Sequence, residues 1–214
     1  MDKMFLLSDK EIKSIDEHYR KYFTEIGAKD TGIVMHEMMS DGLHIDLVHY
    51  EPTIKFPYHI LATVGMSAHK MPNAPFSRLE LIMFLPKNWK MDDKSLDDEK
   101  WFWPIAMLKN AARLPYYNDA FLSVGHTFSM DEDNKPFHES TKMCAGFVTF
   151  PSWLDVGVME LKCGGLLGKK KINFLCITAI NEEELKKIRE NGAEDFIENT
   201  FKREDGSDNL VVRA

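Results

Sequence analysis

Three features of the 214-residue sequence predict an α+β fold, a single mixed or largely antiparallel sheet packed with helices at the amino terminus, middle and carboxy terminus. The chain opens on a capped amphipathic pattern. Apolar runs of strand length, punctuated by Gly and Pro, recur through the middle. The order helix, strands, helix, strands, helix also lacks the regular alternation of a parallel βαβ sheet. A composition of 44% apolar and 29% charged residues fits one globular domain spanning 1–214.

The elements follow in order. Ser8 and Glu11 form a capping box, and Ile12, Ile15, Tyr19, Tyr22 or Phe23, and Ile26 continue at helical spacing to Gly27, which predicts a helix over 8–27. Strands are expected near 33–38 and 43–50, joined by the "SDG" hairpin signal at 40–42. "YHILATV" and the doubly apolar "RLELIMFLP" follow, the second ended by Pro86. "KMDDKSLDDEK" reads as a solvated loop, and a helix should start at Pro104 and close before Pro115. "AFLSVGHTF", "MCAGFVTF", "GVMELK" and "KINFLCITAI" read as four further strands. Asn181 and Glu184 cap a last helix, interrupted or bent at Gly192, and the tail 204–214 is expected to be mobile or to add one short edge strand.

Composition excludes several function classes. A formal charge of −7 argues against direct nucleic-acid binding, which rests on Lys and Arg neutralising phosphates. No apolar stretch approaches the roughly 20 residues a membrane helix needs. Three sparse cysteines without zinc spacing fit the reduced thiols of a cytoplasmic protein.

The chemical motifs each break at an essential position. "HEMMS" at 36–40 has Ser40 where a zinc protease needs histidine. "GMSAH" puts His69 in the second glycine position of a nucleophile elbow and reads instead as a turn at Gly65. "CGGLLGKKK" is one residue short of a phosphate-binding loop and reads as a hairpin tip, and "DEDNKP" has Pro136 where a calcium loop needs Gly. No metal or cofactor is expected.

"LHIDLVHYEP", residues 43–52, gathers His44, Asp46 and His49. Strand parity sends Leu43, Ile45, Leu47 and His49 one way and His44, Asp46, Val48 and Tyr50 the other. The two histidines therefore cannot share a metal without a bulge. His44 and Asp46, about 7 Å apart along one face, remain a candidate acid/base pair. Glu80, flanked by Leu79 and Leu81, must find donors or shift its pKa if its strand is central. With His126, these residues define a small hydrolase as one alternative function.

The succession "HIDLVHYEPT", "PYHILATVGMS", "ELIMFLPKNW", "WPIAMLKNAARLP", "SVGHTF", "TKM" and "INFLCITAINEEELKKIRENG" resembles the suppressor of fused family over about residues 30–197. The resemblance implies a domain without enzymatic activity or obligatory cofactor. Animal members carry a second domain and clamp a transcription-factor segment, a role not carried over to this chain. Stand-alone bacterial members are thought to act as immunity proteins or antitoxins. The expectation is therefore a non-catalytic module, monomer or weak dimer when free, that neutralises a cognate toxin, such as a basic nuclease, by stoichiometric binding. Candidate contact residues are Tyr58, Met66, Trp101 and Trp103 as anchors and His44, Asp46 and Ser67 as orienting polar groups, with Asp92, Asp93, Asp97 and Asp98 steering a basic partner. A regulatory adaptor holding an endogenous protein by strand addition is the other alternative.

Overall fold

A computed structural model describes residues 5–36, 42–164 and 170–213. Helix α1 (Asp9–Glu25) carries the expected capping box of Ser8 and Glu11 and buries Ile15, Tyr19, Tyr22 and Phe23. Strands β1 (Lys29–Met35), β2 (Asp46–Glu51), β3 (Tyr58–Val64) and β4 (Leu79–Pro86) form an antiparallel series. A short helix α2 (Asp93–Leu96) and the long α3 (Glu99–Asn118) follow, then β5 (Thr127–Ser129), β6 (Met143–Thr149), β7 (Glu160–Cys163) and β8 (Lys170–Asn181). Helices α4 (Glu182–Asn191) and α5 (Ala193–Asn199) close the order. The strands run β1-β2-β3-β4-β8-β6-β5 across one sheet, with β7 also on β8, and the β4–β8 pair alone is parallel among the described strands. The α+β expectation is met.

Alternation on the strands divides the interior into two cores. On one face Ile82 and Phe84 of β4 pack with Tyr19 and Phe23 of α1, Leu185 of α4 and Phe196 of α5. On the other, Leu79, Leu81, Met83 and Leu85 meet Trp103, Met107, Leu108 and Ala111 of α3. That double burial is why β4 reads as continuously apolar. The parity reading of β2 holds too: Leu43, Ile45 and Leu47 enter the α3 core, Val48 and Tyr50 the α1 core.

Several expectations need correction. Helix α3 begins five residues before Pro104, because Asp98 caps it by accepting from Lys100 N at 2.9 Å, and both Pro104 and Pro115 lie inside it. Burial of Trp103, Ile105, Met107 and Leu108 offsets the backbone hydrogen bond that an interior proline removes. The charged loop contains α2, capped by Asp92 on Ser95. "AFLSVGHTF" is strand only from Thr127. Gly32 lies inside β1, where the register shifts between Asp30 and Ile33. The tail is packed rather than mobile: Leu210 and Val212 are buried, and Val212 N donates to Phe84 O at 2.9 Å. Most of the hairpin signal at 40–42, the "HEMMS" segment after His36 and the 165–169 tip lie outside the described residues.

Gly65, which ends β3, has φ +132°, and a Cβ there would sit 2.1 Å from the His44 carbonyl oxygen. Backbone on backbone cannot yield without moving β2. We expect Gly65→Ala to destabilise the protein by at least about 2 kcal/mol in urea unfolding. A loss below about 0.5 kcal/mol would show that the turn tolerates a side chain.

Candidate functional site

The turn after Gly65 wraps around Glu80, which is 0% exposed on the central strand. Its Oε2 accepts from Thr63 Oγ1 at 2.6 Å, and its Oε1 accepts from Gly65 N and Ser67 N, both at 3.0 Å, and from Ser67 Oγ at 2.6 Å. Thr63 Oγ1 also accepts from Leu81 N at 2.8 Å. Tyr19 donates to Thr63 O at 2.8 Å, so α1 is tied to the same knot. Arg78 Nη1 donates to Ser67 O and Ala68 O at 2.6 and 2.9 Å and closes the turn from outside. Burial pushes the Glu80 carboxyl above the ordinary range, while the hydrogen bonds from Ser67, Thr63 and Gly65 pull it back. A carboxylate so enclosed holds strands together and offers no surface to a substrate.

His44 and Asp46 do meet. His44 Nε2 lies 3.0 Å from Asp46 Oδ1, and His36 Nδ1 lies 3.2 Å from Oδ2, so one carboxylate is held between two imidazoles at the mouth of β2. Lys109 of α3 borders them, its ammonium pushed down by burial and pulled back by Asp46. His126, just before β5, packs against Phe121 with the rings tilted at 44° and 5.2 Å between centroids. Strands β8 and β6 separate β5 from β4, roughly 14 Å of sheet, so His126 and Glu80 do not form one site.

A second histidine pair was not anticipated. His49 Nε2 and His59 Nδ1 are 3.0 Å apart, both buried against the α3 side of the sheet. Burial, then the charge of His59, depress the His49 pKa to about 4. The hydrogen bond needs one ring to donate and the other to accept, so protonating both sets two donors face to face. No group of three or more His, Cys, Asp or Glu side chains among the described residues is placed to hold a metal ion.

The predicted contact residues divide by exposure. Met66, Ser67 and Trp103 are 3%, 1% and 5% exposed, because the Gly65 turn folds inward and Trp103 stacks on Phe137. They are packing and hydrogen-bonding groups here and present no contact surface. Trp101 is partly open, with the ammonium groups of Lys90 and Lys100 5.2 and 5.3 Å from its ring centroid. Tyr58 is also partly open, accepting from Arg203 Nη2 at 3.1 Å, and the same guanidinium covers Trp153. Exposed Phe102, beside Trp101 on the first turn of α3, went unnoticed because a lone Phe at a helix start carries no pattern.

Residues 41–212 match the family model described as suppressor of fused protein. The chain belongs to the suppressor of fused family. A search of curated proteins found no match. Among solved structures, it is similar to the suppressor of fused homologue of Neisseria gonorrhoeae FA 1090, with TM-score 0.61 and 12% identity over 88% of this chain and 87% of that one. It is also similar to a chain of the Sufu–Fu complex, with TM-score 0.62 and 14% identity over 95% and 88%. Drosophila Suppressor of Fused matches with TM-score 0.56 and 15% identity over 89% of this chain and 47% of its own. These likenesses establish a suppressor of fused fold.

Two outcomes follow from this geometry. Glu80→Ala leaves two hydroxyls and two backbone N–H groups buried without an acceptor and should cost roughly 3–5 kcal/mol in chemical denaturation. Glu80→Gln keeps the acceptor for three of the four bonds and should cost less than half as much; equal losses would mean the charge itself is required. Because the folded His49 pKa lies below its unfolded value of 6.5, the folded state binds fewer protons between these values. Stability should therefore fall as pH drops from about 6.5 to about 4, by at most roughly 3 kcal/mol from this residue. His49→Gln should flatten that slope, and an unchanged slope would remove the pair from the account.

Proposed function

We propose that this protein is a non-catalytic binding module that neutralises a cognate bacterial toxin by stoichiometric contact, acting in the cytoplasm on a basic partner such as a nuclease. Family membership and a related fold seen in the Sufu–Fu complex support protein binding. The observation that carries the reading is the surface at the start of α3. There Phe102 is 39% exposed beside the partly open Trp101, and Asp92, Asp93, Asp97 and Asp98 are all exposed around them. Two lysines, Lys90 and Lys100, lie over Trp101, but the segment leading into α3 carries more carboxylates than ammonium groups, and that excess beside an aromatic anchor suits a basic surface: the apolar area supplies affinity, and the charges supply rate and orientation. Asp92 and Asp98 also cap α2 and α3, which fixes their carboxylates in place. Tyr58 forms a second partly open aromatic surface with Trp153.

The hydrolase alternative loses one of its two carboxyl groups, since both Glu80 oxygens are enclosed. His44 and Asp46 stand without it.

Co-expression with the toxin encoded beside it should restore growth, and the purified pair should run as a one-to-one complex. Replacing Phe102 and Trp101 by Ala should weaken that complex at least about tenfold, and Asp93→Lys with Asp97→Lys should slow association and flatten its salt dependence. Failure to rescue growth, or a turnover of ester or phosphoester substrates that Asp46→Ala abolishes, would contradict the proposal.

A further inference from the structure

The end of the sheet where β3 begins and β4 finishes carries aromatic side chains on both faces. Tyr58 pairs with Pro86 across these strands, and a tight turn follows in which Trp89 N donates to Pro86 O at 2.9 Å. On the α3 side of that turn, Trp89 Nε1 donates to Trp101 O at 2.9 Å, and the two indoles pack edge to face with 5.3 Å between centroids. On the α1 side Tyr58 lies against Trp153 at 5.1 Å between centroids, and both rings also meet Phe56. The Trp101–Phe102 surface and the Tyr58–Trp153 surface therefore adjoin one turn, whose Lys87 and Asn88 are exposed.

The two surfaces differ in charge. Arg203 lies over the second, its guanidinium carbon 5.9 Å from the Tyr58 centroid and 5.2 Å from that of Trp153, with Nη2 donating to Tyr58 Oη at 3.1 Å. Its backbone is fixed in a turn, where Arg203 N donates to Ser207 O at 2.8 Å and Gly206 N to Arg203 O at 3.0 Å. Trp153 anchors that turn, its Nε1 donating to Asp208 O at 3.1 Å. The nearby carboxylates are engaged elsewhere. Asp205 accepts from Ser207 N and Oγ at 2.9 and 2.6 Å, bonds that hold its carboxyl low, and it feels Arg203 only as a more distant charge. Asp208 accepts from Ser152 Oγ and Lys202 Nζ. Arg203 makes no ion pair among the described residues. A guanidinium stacked in this way presents a fixed fork that matches a carboxylate with two parallel hydrogen bonds, and its ordering cost is met before any partner arrives. Exposed Phe150 and Val156 lie three residues to either side of Trp153 in the chain and add apolar area.

We infer that the proposed toxin-binding surface continues around the Pro86–Trp89 turn onto the Tyr58–Trp153 shelf, and that Arg203 there receives an aspartate or glutamate side chain of the partner. The partner so described is bipolar. Its basic patch faces Asp92, Asp93, Asp97 and Asp98, and a carboxylate set in apolar surroundings faces Arg203. Opposite charges on the two sides of one turn fix the direction of docking, because a partner turned end for end would set like charges against each other at both places. The acidic half alone would accept any cationic surface, and Arg203 supplies the discrimination. The inference rests on the binding reading and adds the partner's second contact.

The test measures the affinity of the full chain for the toxin domain encoded beside it, in the wild type and in Arg203→Glu, Arg203→Lys and Phe102→Ala. Arg203→Glu should weaken the complex at least about tenfold, and Arg203→Lys, which keeps the charge without the fork, about threefold. Replacing the surface Asp and Glu residues of the toxin domain one at a time by Arg should find a position that restores binding to Arg203→Glu and weakens binding to the wild type, as a direct pair requires. Because the Arg203 side chain is exposed, its variants should keep the wild-type urea midpoint. Should Arg203→Glu unfold earlier, Arg203→Gln decides by the same comparison. Binding of the Arg203 variant within about twofold of wild type, beside a weakened Phe102→Ala complex, would overturn the inference and leave the binding reading standing. Absence of any complex with the wild type would overturn both.

Discussion

The buried carboxylate of Glu80 is the constraint around which this fold is arranged. Removing an ionised carboxylate from water costs several kcal/mol, and only a full set of donors makes that tolerable. The donors come from β3, from the backbone of the Gly65 turn and from Ser67, so one side chain on β4 fixes the adjacent strand and the loop that ends it. Gly65 has no side chain because the His44 carbonyl lies against it, which transmits the same constraint to β2. Tyr19 brings α1 into register by its bond to Thr63 O. Three strands and a helix are thereby positioned by one polar cluster inside an otherwise apolar interior.

That arrangement sorts the polar residues into those that hold the fold and those that remain for contact. Glu80, Ser67 and Thr63 are consumed by the knot, and His49 and His59 by each other. Helices cover both sheet faces. Among the described residues, what is left includes the α2–α3 corner with its aromatic and acidic side chains, the aromatic surface around Tyr58, and the His36–Asp46–His44 cluster.

Much of the fold could be read directly from sequence wherever the signal was local. Both capping boxes are formed, at Ser8 and Asn181, and the strand of Tyr58–Val64 has the limits its apolar run gave it. Errors arose where tertiary packing overrode local preference: Pro104 marked a helix start, but the buried face of Trp103 and the Asp98 cap carried the helix further back. The site was less legible. Glu80 was recognised as needing donors, yet Thr63 lies 17 residues away and Ser67 13, and only strand register shows that they meet it. The same holds for His59, whose diagonal approach to His49 depends on the pairing of β2 with β3. Met66 and Trp103 looked like anchors because sequence records that a side chain is large and apolar but not which way it turns.

The central claim is that the Glu80 knot is sealed, so that function resides in surface contacts. Hydrogen exchange at the amides of Gly65, Ser67 and Leu81 tests this most directly, because these groups donate to the Glu80 carboxylate and to Thr63 Oγ1. The account predicts that they exchange only by global unfolding, as slowly as the amides of the neighbouring β8 strand. Exchange orders of magnitude faster at these three positions, while β8 stays protected, would show that water and ligands reach Glu80 and would contradict it.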